Sequence, residues 1–154
     1  MTTLFELRTE QDIRREAVCA NEAAVHAVLM GSGPWELSER QRRLLELLRG
    51  RQGRLQAVSI SELAARLSVD PRSIKADVRE LVVSFRLPIV ASRDAEDGGY
   101  FFAVTAEESL SGTADYVKEI VALAERVRII RKMPSVRALL GQMALELPEL
   151  EETL

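Results

Sequence analysis

Two helix-start signals set close together constrain this chain more than anything else in it. Ser59 with Glu62 three residues later is a capping-box pattern, and the helix it opens runs through Leu63, Ala64 and Leu67. Asp70 followed by Pro71 is a second start. The aspartate accepts from the unpaired N–H groups of a first turn, and proline at the first helical position gives up a donor that has no intrahelical partner anyway. Only Ser68, Val69 and Asp70 separate the two helices. Helices joined by so short a turn cross at a steep angle, and the second is left protruding. The spacing predicts this second helix over about 71–85, with Ile74, Val78, Leu81 and Val82 facing inward.

The neighbouring segments extend the pattern. Ser38 and Gln41 form another capping box, opening a helix whose apolar face is Leu44, Leu45 and Leu48 and which stops near Gly50 or Gly53. Leu55–Val58 reads as a short strand. Residues 88–92 and 100–104 read as two strands joined by the polar, glycine-ended loop Arg93–Gly99. Helix, helix, short turn, helix, hairpin is the order of a winged helix-turn-helix. Tyr100, Phe101 and Phe102 are expected as core and strand residues, since alternation buries at least one of them.

Helical flanks lie on both sides. Ile13, Ala17, Ala20, Ala24 and Val28, with Val25 and Leu29 beside them, predict a helix over 10–30 capped by Thr9 with Asp12. Met1–Arg8 reads as a short strand or a helical lead-in. Gly31-Ser32-Gly33-Pro34 closes the helix and is the best linker in the chain. Past the hairpin, Thr105 with Glu108 opens one helix, Thr113 caps a separate, longer one over about 114–132, and a last helix covers about 135–147 before Pro148 and an acidic tail. The expected fold is mainly α with a small β-hairpin wing: an N-terminal helical extension (1–36), a winged helix-turn-helix (37–108) and a C-terminal helical region (109–154).

Length and composition fit this plan. A chain of 154 residues, 47% hydrophobic and 29% charged, suits one small soluble domain with helical additions. No apolar run reaches the ~18–20 residues of a membrane span, and the N-terminus has no secretion-signal pattern, so a cytoplasmic location is expected. Enzymatic and metal chemistry find little to build on. The single cysteine, Cys19, and single histidine, His26, lie seven residues apart, about 10 Å along a helix. That is too far for a nucleophile and its base, and too few ligands for zinc, so Cys19 reads as a buried core residue and His26 as a surface or cap residue. There is no glycine-rich phosphate loop, and the roughly 45 residues after the hairpin are too few for an effector domain. No cofactor, metal, catalytic residue or small-molecule effector is expected.

The net charge of −3 conceals a strong asymmetry. Residues 37–93 carry twelve basic and six acidic side chains, a local charge of +6, between flanks of −3 and −6. Local charge governs phosphate binding more than the total does. On the expected protruding helix, Arg72, Lys75 and Arg79 fall opposite the Ile74, Val78 and Leu81 face, and Ser73 and Ala76 keep its outer surface small. Arginine bridges two acceptors of guanine, and lysine reaches phosphate or base. Asp77 is placed to orient an arginine or cap a backbone group. Arg40, Arg42, Arg43, Arg49, Arg51 and Arg54, on or after the preceding helix, are candidates for flanking phosphates, with Arg40 and Arg43 foremost.

The stretch ISELAARLSVDPRSIKADVREL, the strand entry LPIVAS and the wing end GGYFFA resemble the winged helix-turn-helix of type-11 bacterial transcription regulators, which also caps biotin-ligase repressors. GGYFFAVTAEE followed by a long helix is also similar to small winged-helix proteins of phages and prophages. The resemblance covers about residues 38–108. It implies bacterial or phage origin, contact with double-stranded DNA by Arg72, Ser73, Lys75, Ala76 and Arg79, and a wing against the minor groove or backbone. Two features depart from the family. The wing tip is Asp94-Ala95-Glu96-Asp97 where relatives are basic or glycine-rich, which leaves Arg93 as the wing's one phosphate contact or turns the wing toward a protein. Val82-Val83-Ser84-Phe85 also stands where a polar residue and a glycine are more usual.

Tyr116, Ile120, Leu123, Val127 and Ile130 are spaced 4, 3, 4 and 3, a helix-to-helix packing seam. Its partner is a helix of the same chain or of a second copy. A homodimer is the expectation, because so apolar a helix has no obvious home on a compact winged-helix body, and a dimer suits a palindromic site. Two functions compete: a dimeric, sequence-specific DNA-binding regulator or phage-type repressor or accessory factor, and a protein-interaction module, an adaptor or inhibitor, using the acidic wing and C-terminal surfaces.

Overall fold

The structure is a computed structural model, and it describes residues 9–93 and 98–146. The chain is mainly helical with one small antiparallel hairpin. In order come α1 (Glu10–Leu29), α2 (Glu39–Arg49), a 3-10 turn (Arg54–Gln56), α3 (Ile60–Leu67), α4 (Pro71–Val83), β1 (Ile89–Ser92), β2 (Gly99–Phe102), α5 (Ala106–Ile130) and α6 (Val136–Glu146). None of these helices is long and apolar enough to cross a membrane. The chain divides into two compact units, Met1–Gly112 and Thr113–Leu154.

Local chemistry starts the helices of the first unit. Thr9 and Asp12 cap α1 reciprocally, as do Ser38 and Gln41 for α2. At α3 the Ser59 hydroxyl accepts from the Glu62 N–H at 3.1 Å. Ser68 ends α3 in the left-handed conformation (φ 54°), which turns the chain sharply. Asp70 then caps α4, with Pro71 in the first turn. Each such cap is worth about 1 kcal/mol.

The core of this unit lies among α1, α2, α3, α4 and the hairpin. Leu44, Leu45, Leu48, Leu63, Ile74, Leu81 and Phe102 are fully enclosed in it, and Val25 and Val28 of α1 join them. Burial of such a side chain contributes roughly 1.5–3 kcal/mol. α1 therefore shares one core with α2–α4. The segment expected as a linker is a packed turn: a Cβ on Gly33 would lie 2.5 Å from the Phe85 ring, and Trp35 meets the same ring edge-to-face at 5.9 Å.

β1 and β2 pair in register from Ile89 with Phe102 to Ser92 with Gly99. The expected strand at 55–58 is instead a 3-10 turn, followed by a single bridge in which Val58 and Tyr100 exchange N–H···O bonds of 3.0 and 2.9 Å. Gly99 permits this approach, since a Cβ there would lie 2.2 Å from the Val58 carbonyl oxygen. Both Phe101 and Phe102 are buried and Tyr100 is half-buried.

Several sequence expectations are corrected here. The two helices expected around residues 105–112 and 114–132 are one, α5. Gly112 does not break it, because the missing Cβ is what lets α5 lie against β1: a Cβ would come 2.7 Å from that of Val90. α4 ends at Val83, two residues early. Cys19 is exposed and not a core residue. On α1 the buried positions are Asn21, Val25 and Val28, whereas Ile13 and Ala20 are exposed. Residues 94–97, the acidic wing tip, lie outside the described residues, as do Met1–Arg8 and the tail beyond residue 146.

Candidate nucleic-acid interface

α4 presents two unlike sides. Ile74, Asp77, Val78 and Leu81 are buried, while Arg72, Lys75, Ala76, Arg79 and Val83 are exposed. At about 100° per residue the exposed set forms one continuous stripe along the helix. Among the described residues, Arg72, Lys75 and Arg79 make no hydrogen bond or ion pair. Three cations thus share one solvent-facing surface with a methyl group between them and an isopropyl group at the C-terminal end.

Ser73 sits at the edge of this stripe and is half-buried. Its backbone N–H and its hydroxyl both donate to the Asp70 carboxylate, at 3.0 and 2.7 Å. These bonds, the side-chain one first, hold the Asp70 pKa below its ordinary value. The start of α4 is therefore already occupied by an anion, and an incoming phosphate would be met by the cationic side chains of the stripe, not by the helix N-terminus.

Asp77 faces the opposite way and is 3% exposed. It does orient an arginine. Arg40, in the first turn of α2, donates to it from Nε at 2.5 Å and from a terminal nitrogen at 2.9 Å. This hydrogen-bonded pairing raises the Arg40 pKa above its already high value. Gln41, next in sequence, donates its side-chain amide to Glu80 while its oxygen accepts from the Ser38 N–H. The first turn of α2 thus grips α4 at two carboxylates one helical turn apart, which fixes how α4 is rotated. The one sequence signal that position 77 is buried is its i+3 relation to Ile74, which its charge masks.

The remaining basic candidates are distributed differently. Arg42 donates to the Leu29 carbonyl at 3.1 Å and so ties α2 to α1. Arg43 pairs with Glu39 at 2.9 Å, with both side chains well exposed, and lines a shallow depression with Glu46, Leu47, Arg66 and Leu67. Arg93 is exposed just past the end of β1. Of the sequence candidates, α4 brings together Arg72, Ser73, Lys75, Ala76 and Arg79, whereas Arg40 and Arg43 are engaged within the chain.

In the second unit, Tyr116, Ile120, Leu123 and Ile130 of the expected seam are exposed and Val127 is half-buried. Comparison with family models, with curated proteins and with solved structures finds no match.

Proposed function

We propose that this chain is a cytoplasmic, sequence-specific double-stranded DNA-binding protein, a homodimeric transcription regulator or phage-type repressor, built on a winged helix-turn-helix over residues 37–108. The short turn between α3 and α4 and the hairpin that follows support that assignment and the resemblance to type-11 regulators. The reading is carried by one observation: Arg72, Lys75 and Arg79 lie on the exposed stripe of α4 with no partner among the described residues. A helix about 10–12 Å across fits a major groove about 12 Å wide. Ala76, central in the stripe, lets the backbone approach base edges, and the flanking cations reach guanine or phosphate. Arg93 is the described wing residue placed to add a backbone contact. The reading needs no cofactor, metal or small-molecule effector, and no catalysis.

Electrophoretic retardation of random duplex DNA at low salt tests the proposal, followed by selection from a randomised duplex library. Retardation that weakens steeply with salt and vanishes in Arg72→Ala/Lys75→Ala/Arg79→Ala supports it. A folded protein that retards no duplex at any salt overturns it in favour of a protein-interaction role for the acidic wing and C-terminal surfaces.

A further inference from the structure

The apolar stripe of α5 is an exposed feature that DNA contact leaves unexplained. Tyr116 is 61% exposed, Ile120 63%, Leu123 49% and Ile130 79%. Their spacing with Val127 keeps all five within a sector of about 80°. Glu119 and Arg126 border the stripe on one side, seven residues apart, and neither makes an ion pair among the described residues. Val117 and Ala124 border it on the other side, and Arg131 follows on that side just past the end of α5.

The two bordering charges determine what fits. We propose that the stripe is covered by α5 of a second copy, running antiparallel, with the two-fold axis between Val121 and Ala122. In this register Ile120 packs on the partner's Leu123 and Tyr116 on the partner's Val127, each contact occurring twice. Glu119 then faces the partner's Arg126, and Arg126 faces the partner's Glu119. A slip of one heptad in one direction sets Arg126 against the partner's Arg126. A slip in the other sets Glu119 against the partner's Glu119. A parallel pair sets Arg126 against the partner's Arg131 and leaves Glu119 opposite the partner's Ala124. Edge charges select orientation and register in helix pairs in this way, because like charges brought together repel and opposite ones attract. The helix as a whole agrees. From Ala106 to Glu119 it carries four acidic side chains and one basic, and from Ile120 to Lys132 the chain carries four basic and one acidic. An antiparallel pair brings these unlike ends together.

This inference rests on the dimeric part of the proposed function and adds direction and register to it. The test uses the full chain with Cys19→Ser, since Cys19 is exposed and would otherwise react. Single spin labels are placed at Ala122→Cys or at Ile129→Cys, which share one outward side of α5. The antiparallel pair predicts a label separation longer at 129 than at 122 by on the order of 10 Å, because position 122 is near the axis and 129 is about 11 Å along the helix from it. Sedimentation supplies the second readout. Glu119→Arg raises the dimer dissociation constant about tenfold, and adding Arg126→Glu restores it. Equal separations at the two sites, or no rescue by the second reversal, overturn the inference while leaving a dimer in place. A chain monomeric at every concentration overturns both, and leaves the DNA retardation assay as an independent test of α4.

Discussion

The arginines of α2 and the cations of α4 belong to one basic segment, yet the fold uses them in opposite ways. Arg40 and Arg42 are spent on contacts within the chain, to Asp77 and to the Leu29 carbonyl, and Arg43 is paired with its neighbour Glu39. Arg72, Lys75 and Arg79 have no such partner among the described residues. The difference lies in what each cation faces. A buried carboxylate must have a counter-charge, so it recruits the nearest arginine into the structure. A cation with nothing beneath it remains available to a ligand. A basic residue in a basic segment therefore has its role decided by the far side of the packing, not by its own sequence neighbours.

Mutations can break that contrast, and the largest effect falls on α4. The Arg72→Ala/Lys75→Ala/Arg79→Ala variant loses DNA affinity by about a hundredfold or more, as three contacts of roughly 1 kcal/mol or more each imply. Its thermal unfolding midpoint stays close to wild type. Unfolding of that variant at a much lower temperature would show that the three cations are structural after all. Arg40→Ala gives the reverse pattern. It leaves the Asp77 carboxylate buried without its partner and destabilises the fold by about 1–2 kcal/mol, below the value for a fully enclosed pair because the Arg40 side chain is 45% exposed. Chemical denaturation reads that loss, and equal stability of wild type and variant would remove the contrast from its structural side.

Salt sharpens the comparison further. Each α4 cation that meets a phosphate contributes about 0.9 to the slope of log affinity against log salt. Single replacement of Lys75 should therefore lower the slope by nearly one, whereas Arg43→Ala, which removes only a solvent-exposed pair, should leave slope and stability almost unchanged. A slope that drops equally for both would extend the binding surface onto α2. The smallest effect concerns Asp70. Its pKa is lowered in the fold by the bonds from Ser73. The stabilisation it gives is whole above the usual carboxylate range and is lost as pH falls through that lowered value. Melting curves taken downward in pH from the usual carboxylate range should show wild type losing stability there, and Asp70→Asn, which still caps α4 but does not titrate, losing less.

Much of the fold was legible because its signals are local. Thr9 with Asp12, Ser38 with Gln41 and Ser59 with Glu62 each close a turn using residues three apart, and all three helices begin where those residues lie. What escaped sequence reading depends on partners far along the chain. Thr105 and Thr113 look like two helix starts until α5 is found to run through Gly112, which lies against Val90. Asp77 reads as able to orient an arginine, but which arginine shows only when Arg40, thirty-seven positions earlier, is found against it. The segment at 55–58 looks like a strand, but only Val58 finds a backbone to pair with. The exposed side of α4 was legible because three cations could be set against the apolar spacing of the opposite side. The engagement of Arg40 was not, since nothing near it in sequence signals a buried acid.

Asn21 carries a consequence of its own. Its side-chain amide donates twice, to the Gln52 oxygen and to the Ala103 carbonyl, both at 3.0 Å. Valines alone would let α1 slide or roll in its groove at little cost, since one greasy contact replaces another. A doubly donating amide tolerates no such drift, because a shift of one turn would strand the buried Asn21 amide and Ala103 carbonyl without partners. Asn21→Leu should therefore leave a protein that still folds but whose first helix no longer keeps a single setting.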